Sequence, residues 1–209
     1  MKLGPSIRRM FGPFERQLSD AYRSIYIDLD AFIELIVRWK PSADNVLEVG
    51  CGEGAVTERL SAAFPAANIT AIDISSNVGR LYRGRPDRVR FMQCTAQDVA
   101  SADAGRYDLV VLSDVLHHVP LPLRQGLLEA IRTALAPDGA LLFKDWARYP
   151  TPIHWLCYAS DRWLTGDRIS YLSRRELRQF LASGFGESAL VAEATVRPWR
   201  NNLAILVEP

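Results

Sequence analysis

Apolar and polar residues alternate along this 209-residue chain in blocks that predict strands and helices in turn. Short apolar runs predict buried strands at residues 45–49, 68–73, 89–94, 107–113 and 140–144. Helical spacing is found in residues 55–64 and 122–135, and a further helix is expected to begin within residues 75–82. Strands that alternate with helices form a mostly parallel sheet covered on both faces, so the pattern predicts an α/β fold.

The two ends of the chain depart from this alternation. Apolar residues from Phe14 to Ile36 recur at helical spacing and predict one long amphipathic helix that ends near Pro41. Ser173 and Glu176 have the spacing of a capping box, so a helix is expected from there to Gly184. The runs 189–196 and 202–208 are joined too closely for a crossover helix, which predicts a hairpin and an antiparallel terminal strand.

Length and composition favour one compact domain, because 48% of the 209 residues are hydrophobic and 23% are charged. Within this single domain, 1–209, we expect an N-terminal helical cap at 1–41 and a ligand-binding core at 42–146. A helical lid insertion is expected at 147–172, and the last helix and terminal hairpin at 173–209. The predicted fold is therefore a Rossmann-like, seven-stranded, mostly parallel, doubly wound sheet, with the helical cap as an N-terminal extension.

Charge, cysteine content and hydropathy narrow the function classes. A net charge of +1 provides no global field that would attract nucleic acid or an anionic membrane. The three cysteines are far apart and lack metal-ligand spacing, so we expect no metal and a cytoplasmic location. The chain contains no apolar run of the roughly 18 residues that a membrane span requires, and its first residues lack a secretion signal core.

The segment VLEVGCGEGAV, residues 46–56, is the strongest local signal in the chain. Gly50, Gly52 and Gly54 follow an apolar strand and precede a helix, which is the arrangement of a ligand cradle at the carboxyl edge of a sheet. Glycine allows a ligand to lie directly on the backbone. Glu48 is polar within the apolar strand, where a charge is costly without a partner, and a cationic ammonium group would be one.

Two further carboxylates follow the next predicted strands. Asp73 ends the second strand, where it can accept hydrogen bonds from ribose hydroxyls. Asp98 follows the third strand, where it could accept a hydrogen bond from an adenine amino group. A ligand with a ribose, an adenine and an ammonium group but no phosphate matches S-adenosylmethionine.

In these segments the sequence resembles the class I S-adenosylmethionine-dependent methyltransferases. The resemblance rests on VLEVGCGEG, ITAIDIS, CTAQDV, YDLVVLSDVLHHVP and LAPDGALLFKDW, which follow in the family's order over residues 45–146. It implies S-adenosylmethionine as cofactor and a cytoplasmic small-molecule methyltransferase of lipid, quinone or specialised-metabolite biosynthesis. The residues that it places around the cofactor are Glu48, Gly50, Gly52, Gly54, Asp73, Ile74, Asp98, Val99 and Ser113.

The residues expected to act on the acceptor come just after the fourth and fifth strands. A base that removes a proton during methyl transfer could be His117 or His118, since histidine titrates near neutral pH. Asp145 could orient that base or receive a proton, and Lys144 could contact an anionic substrate, although a buried ion pair or a helix cap would explain these two residues slightly better. Trp155, Tyr158 and Trp163 in the following insertion could cover an apolar or aromatic substrate, or could pack in the core.

Several alternatives remain open on the sequence. Gly50, Gly52 and Ala55 also satisfy the relaxed dinucleotide-binding pattern, which would suit a nicotinamide-dependent oxidoreductase, but Glu48 would then meet no cation. A chain that binds the cofactor without catalysis, as a partner subunit, is another candidate. The residues after the fourth strand differ from those of amino-methylating nucleic-acid enzymes, which favours oxygen or carbon methylation of a small molecule, free or carried on a protein. We expect no nucleic-acid partner, no membrane span, and a monomer or homodimer.

Overall fold

The computed structural model describes residues 14–160 and 169–209, in which seven α-helices alternate with or flank seven strands. The helices are α1 (Glu15–Tyr26), α2 (Leu29–Trp39), α3 (Ala55–Ala63), α4 (Ala96–Ala102), α5 (Leu121–Ala134), α6 (Pro152–Ser160) and α7 (Arg174–Phe185). The strands are β1 (Asn45–Val49), β2 (Asn68–Asp73), β3 (Val89–Gln93), β4 (Tyr107–Ser113), β5 (Leu135–Trp146), β6 (Leu190–Thr195) and β7 (Asn202–Val207).

The seven strands form one sheet in the order β3-β2-β1-β4-β5-β7-β6. β1 to β5 pair in parallel, whereas β7 pairs antiparallel to both β5 and β6. This confirms the predicted mostly parallel sheet with an antiparallel terminal strand. β1 and β4 are neighbours although their order along the chain is interrupted, so the crevice at their carboxyl ends is the switch point where such sheets bind ligands.

Helices cover both faces of the sheet, as the continuous apolar strands predicted. Val110 and Leu112 of β4 pack on the side of α4, α5 and α7, while Leu109 and Val111 pack on the side of α2 and α3. All four side chains are essentially inaccessible to solvent. The carboxyl ends of β1 and β4 are therefore held by two hydrophobic layers, which fixes the loops that follow them.

The predicted single N-terminal helix is in fact two helices. Ile27 has extended backbone angles, and the Asp28 side chain accepts a hydrogen bond from the Ala31 N–H, which starts α2. Arg197 from the β6–β7 connection donates to the Asp28 carboxylate and fixes the break. The interruption changes which face is buried, since α2 buries its apolar side chains and α1 does not.

Two other local expectations had different outcomes. The segment 75–82 forms turns rather than a helix, because the N–H groups of Gly79 and Leu81 donate to the carbonyls of Gly52 and Glu53 and tie it to the glycine loop. The capping box of Ser173 and Glu176 is present and begins α7, as predicted. That helix ends at Phe185, one residue beyond the expected Gly184, and Gly186 with φ +90° follows it.

Within the described ranges, no helix is both long and apolar enough to pass through a bilayer.

Candidate active site

The glycine loop has the conformation that its sequence requires. Gly50 and Gly52 have φ of +79° and +52°, in the left-handed region that favours glycine. A Cβ on Gly50 would lie 2.2 Å from Val115 Cγ2, so the loop packs closely against the segment after β4. A Cβ on Gly52 would meet nothing within 4 Å, so the backbone here faces open space that a side chain would fill.

Glu48 lies at the floor of this site and is almost completely buried. Its Oε2 atom has no hydrogen-bond partner among the described residues. Burial raises the pKa of Glu48 to about 7, the nearby Thr57 hydroxyl lowers it, and the charge of Asp73 raises it further. A buried acceptor with an unsatisfied oxygen is costly, so the position suits a cationic or N–H-bearing ligand group.

Asp73 at the end of β2 is directed toward the glycine loop. One carboxylate oxygen accepts from the Gly52 N–H at 2.8 Å and the other accepts from the Ser75 N–H at 2.8 Å. Each carboxylate oxygen has a second acceptor site, so both can still accept a ligand hydroxyl. The structure thus brings Asp73, Gly52 and Glu48 together at the ends of β1 and β2.

The predicted adenine-side residues are more open. Asp98 is the third residue of α4 and accepts from the backbone and hydroxyl of Thr95 in a capping box, and these hydrogen bonds lower its pKa. Ile74 is largely exposed, whereas Val99 is buried in the core. Asp98, Ile74 and Val99 therefore do not line the enclosed part of the site, and their cofactor roles stay predictions.

A cavity of about 320 Å³ lies between the glycine loop, α1 and the ends of β4 and β5. Of the predicted site residues, it is lined by Glu48, Gly50, Gly52, Ser113, His117, His118 and Lys144. The cofactor-side acid Glu48 and the predicted base His117 thus line the same cavity. Asp114 and Arg23 also line the cavity.

His117 and Asp145 form a buried pair. His117 Nδ1 is hydrogen-bonded to Asp145 Oδ1, and the His117 backbone N–H donates a hydrogen bond to Asp145 Oδ2 at 3.1 Å. Burial alone would raise the pKa of Asp145, but the His117 ring, the Trp146 N–H and Lys144 hold it below its ordinary value. An ionised Asp145 requires a proton on Nδ1 of His117, which leaves Nε2 as the ring nitrogen able to accept one.

Aromatic rings fix the plane of the His117 imidazole. The Tyr171 ring is stacked on it with centroids 4.8 Å apart, and the His118 ring lies at 4.1 Å. Ser170 donates its N–H to the His117 carbonyl, and buried Arg124 donates to the carbonyls of Val119 and Ser170. Sequence reasoning missed Tyr171 and Arg124, because neither belongs to a motif and both act through chain segments distant in sequence.

Lys144 and Asp114 form a second ion pair beside the first. The fully buried Lys144 ammonium lies 2.6 and 2.7 Å from the two carboxylate oxygens of Asp114. Asp114 has φ +56°, a conformation that aspartate tolerates better than most residues. Lys144 already has an anionic partner here, so a role with a substrate anion stays a prediction.

Asp114, His117 and Asp145 together offer three ligand atoms that lie within 4.8 Å of one another. A cation at this place would have to displace Lys144 from Asp114 and separate His117 from Asp145. The expectation of no metal rested on the spacing of the cysteines, which does not bear on this group of Asp and His residues. The group forms only when β4 and β5 are paired.

The helix of the insertion, α6, contributes a different residue to the cavity from the two that the sequence suggested. Trp155 and Tyr158 are 68% and 42% exposed and do not line the cavity. Cys157 of the same helix does, together with Trp146 at the end of β5 and Asn202 at the start of β7. Trp163 lies outside the described residues.

The fold and this site define an α/β domain whose cavity is lined by the buried acid Glu48 and by the histidine of the His117–Asp145 pair. A family model described as "Methyltransferase domain" matches residues 18–185, and the chain belongs to this family.

Curated relatives include a ubiquinone biosynthesis O-methyltransferase of Xanthomonas axonopodis pv. citri. It is 29% identical over 174 residues, which are 78% of this chain and 71% of that protein. The enzyme of the same name in Acinetobacter baylyi is 32% identical over 51% of this chain and 45% of its own length. A Synechococcus relative is 38% identical over 46% of this chain, which spans only 24% of that protein. The chain therefore spans less than half the length of several relatives that it matches.

Solved structures share the fold. The pyocyanin biosynthetic protein PhzM has a TM-score of 0.71 at 19% identity, covering 98% of this chain and 61% of its own. A 1,6-didemethyltoxoflavin-N1-methyltransferase of Burkholderia thailandensis, with that substrate and S-adenosylhomocysteine bound, has a TM-score of 0.65 at 18% identity, covering 97% and 86%.

Proposed function

We propose that the chain is a small-molecule methyltransferase that uses S-adenosylmethionine and methylates a hydroxyl group. The observation that carries the proposal is that Glu48 and His117, the histidine of the His117–Asp145 pair, line a single cavity. Glu48 supports a cofactor with an ammonium group, and the histidine supports removal of a proton from an acceptor.

The residues around the cavity fit this cofactor. The unsatisfied Oε2 of Glu48 is suited to its ammonium group, and the open backbone at Gly52 leaves room for it to lie against the loop. Asp73, beside Gly52, is suited to the ribose hydroxyls. Arg23 of α1 lines the same cavity and is suited to the carboxylate of the methionine part.

When bound, the cofactor supplies an electrophilic methyl group, and the protein must align the acceptor and remove its proton. His117 takes that proton at Nε2, while Asp145 holds the ring by Nδ1 and stabilises the positive charge that the ring acquires. Tyr171 prevents the imidazole from tilting, since it is stacked on one face. Trp146, Cys157 and the glycine loop line the same cavity.

Oxygen is the favoured acceptor atom because a neutral hydroxyl has a proton to lose and the site provides a base to take it. The names of two curated relatives, both ubiquinone biosynthesis O-methyltransferases, support a phenolic acceptor. We propose a monomer or homodimer in the cytoplasm, with an acceptor either free or carried on a protein. The inactive partner subunit is disfavoured by the intact His117–Asp145 pair.

The test is transfer of a labelled methyl group from the cofactor to a panel of phenols and hydroquinones, with aliphatic alcohols, carboxylic acids and amines as controls. The proposal predicts transfer to at least one phenolic compound, and a loss of transfer in the His117→Gln variant. Transfer to amines alone, at equal rates in wild type and variant, would contradict the oxygen acceptor and the base.

A further inference from the structure

Helix α1 buries polar side chains and exposes apolar ones, which is the reverse of an ordinary surface helix. Its buried side chains are the polar Glu15 and Ser19, whereas Phe14 just before it and Leu18 and Ile25 within it are exposed. Glu15 is held inside by the Arg80 guanidinium, which donates to both of its carboxylate oxygens and also to Glu53 of the glycine loop. The charged contacts therefore fix α1 with its apolar stripe facing outward.

The exposed stripe belongs to a set of exposed apolar side chains on α1, on or just before α6, and on the β6–β7 connection, which we call the rim. It comprises nine of the thirteen large exposed hydrophobic side chains of the described residues: Phe14, Leu18, Tyr22, Ile25, Tyr149, Trp155, Leu156, Tyr158 and Trp199. Helix α6, which carries three of them, contains no acidic residue, no lysine and no arginine. Exposed apolar side chains are usually scattered singly over a protein surface, so this concentration of them indicates a binding surface.

The parts of the rim are joined by the β6–β7 connection. The Trp199 indole N–H donates to the carbonyl of Ile25 in α1, and the Asn201 amide oxygen accepts from the Thr151 hydroxyl just before α6. The cavity lies between the two helices, since Tyr22 and Tyr26 of α1 and Cys157 of α6 line it. The two helices that carry most of the rim therefore also line the proposed active site.

The composition of the rim indicates what covers it. Tryptophan and tyrosine have an apolar body and a polar tip, which suits the boundary between lipid headgroups and acyl chains. Arg200, next to Trp199, is exposed and has no ion pair within the described ranges, and residues 1–13, which lead into Phe14, contain Lys2, Arg8 and Arg9 but no acid. Apolar residues bordered by basic ones bind anionic lipid surfaces.

We propose that the rim docks the protein on the surface of an anionic lipid bilayer, with the cavity entrance facing the lipid. The docking is peripheral and positions the entrance to receive an acceptor that is dissolved in the membrane. It goes beyond the proposed reaction and can be measured without cofactor or acceptor.

The experiment is sedimentation of the full chain with vesicles of phosphatidylcholine, with and without phosphatidylglycerol. We compare wild type with a rim variant carrying Leu18→Gln, Ile25→Gln and Leu156→Gln, none of which lines the cavity. The matched control is Val191→Gln, because Val191 is also half exposed but lies on β6 outside the rim.

We expect wild type and Val191→Gln to bind the anionic vesicles, and the rim variant to bind at least about tenfold more weakly. Added salt should weaken wild-type binding, because part of the attraction is electrostatic. Matching far-ultraviolet circular dichroism and thermal unfolding of all three proteins show that they are folded, and keep this test separate from that of the reaction.

Two results would overturn the proposal. One is that wild type does not sediment with either kind of vesicle. The other is that light scattering shows a wild-type dimer which the rim variant converts to a monomer, since the rim would then be covered by a second copy of the chain.

Discussion

Replacing Glu48 with glutamine separates the two effects that its buried carboxylate should have. Burial raises its pKa from 4.5 to about 7, so the folded state binds more protons than the unfolded state between these values. Stability without ligand therefore falls as pH rises through this window. A tenfold change in an acid's ionisation constant corresponds to about 1.4 kcal/mol, so the cost of the charge is about 1 kcal/mol at pH 5 and about 3 kcal/mol at pH 8.

The Glu48→Gln variant has no charge to bury and should lose this dependence. Its free energy of unfolding, measured in urea, should exceed that of wild type by an amount that grows by about 2 kcal/mol from pH 5 to pH 8. Glu34→Gln is the control, because Glu34 lies on the exposed face of α2 and its replacement removes the same formal charge.

The cofactor should respond in the opposite direction. If Glu48 pairs with the ammonium group, its loss should weaken binding of S-adenosylhomocysteine by about 1.5–3 kcal/mol, as for other hydrogen bonds to charged groups. A variant that is more stable alone but binds the ligand poorly would match both parts of the reasoning. A variant with wild-type affinity, or one whose stability follows wild type at every pH, would refute it.

Three further predictions concern the remaining parts of the site. His117→Gln should lower kcat by about 10²–10⁴-fold and remove the acidic limb of the pH–rate profile, while cofactor affinity stays near wild type; an unchanged profile would mean that no proton passes to His117. Gly52→Ala and Gly105→Ala both place a side chain at positive φ in open space, so thermal unfolding should show similar small losses of stability for the two variants. Calorimetry should show a loss of cofactor binding only for Gly52→Ala, and equal affinities would mean that the loop does not hold the cofactor. Asp73→Ala should weaken cofactor binding by about 1–3 kcal/mol in the same titration, and wild-type affinity would exclude a ribose contact.

The sequence predicted the sheet, the glycine loop and the placement of Glu48 and Asp73 well because these depend on local patterns. Apolar runs of strand length and the glycine spacing of residues 50–54 are readable without knowing what lies opposite them. The family's motifs follow each strand in order, so Glu48 and Asp73 could be placed at the same sheet edge before the fold was known.

The acceptor side was less predictable because it depends on contacts between distant segments. Lys144 pairs with Asp114 across 30 residues, and Arg124 reaches Ser170 across 46. The orientation of α1 was unpredictable for a related reason. Its apolar periodicity indicated a face to bury, but Glu15 finds its partner in Arg80, 65 residues away, and this contact turns the polar face inward.

The central claim is that the cavity beside Glu48 and Gly52 binds S-adenosylmethionine, and a calorimetric titration tests it most directly. The account predicts that wild type binds S-adenosylmethionine and S-adenosylhomocysteine in the micromolar range, roughly −8 kcal/mol, and does not bind a nicotinamide dinucleotide. Heat of binding with the dinucleotide and none with the two sulfur compounds would contradict it.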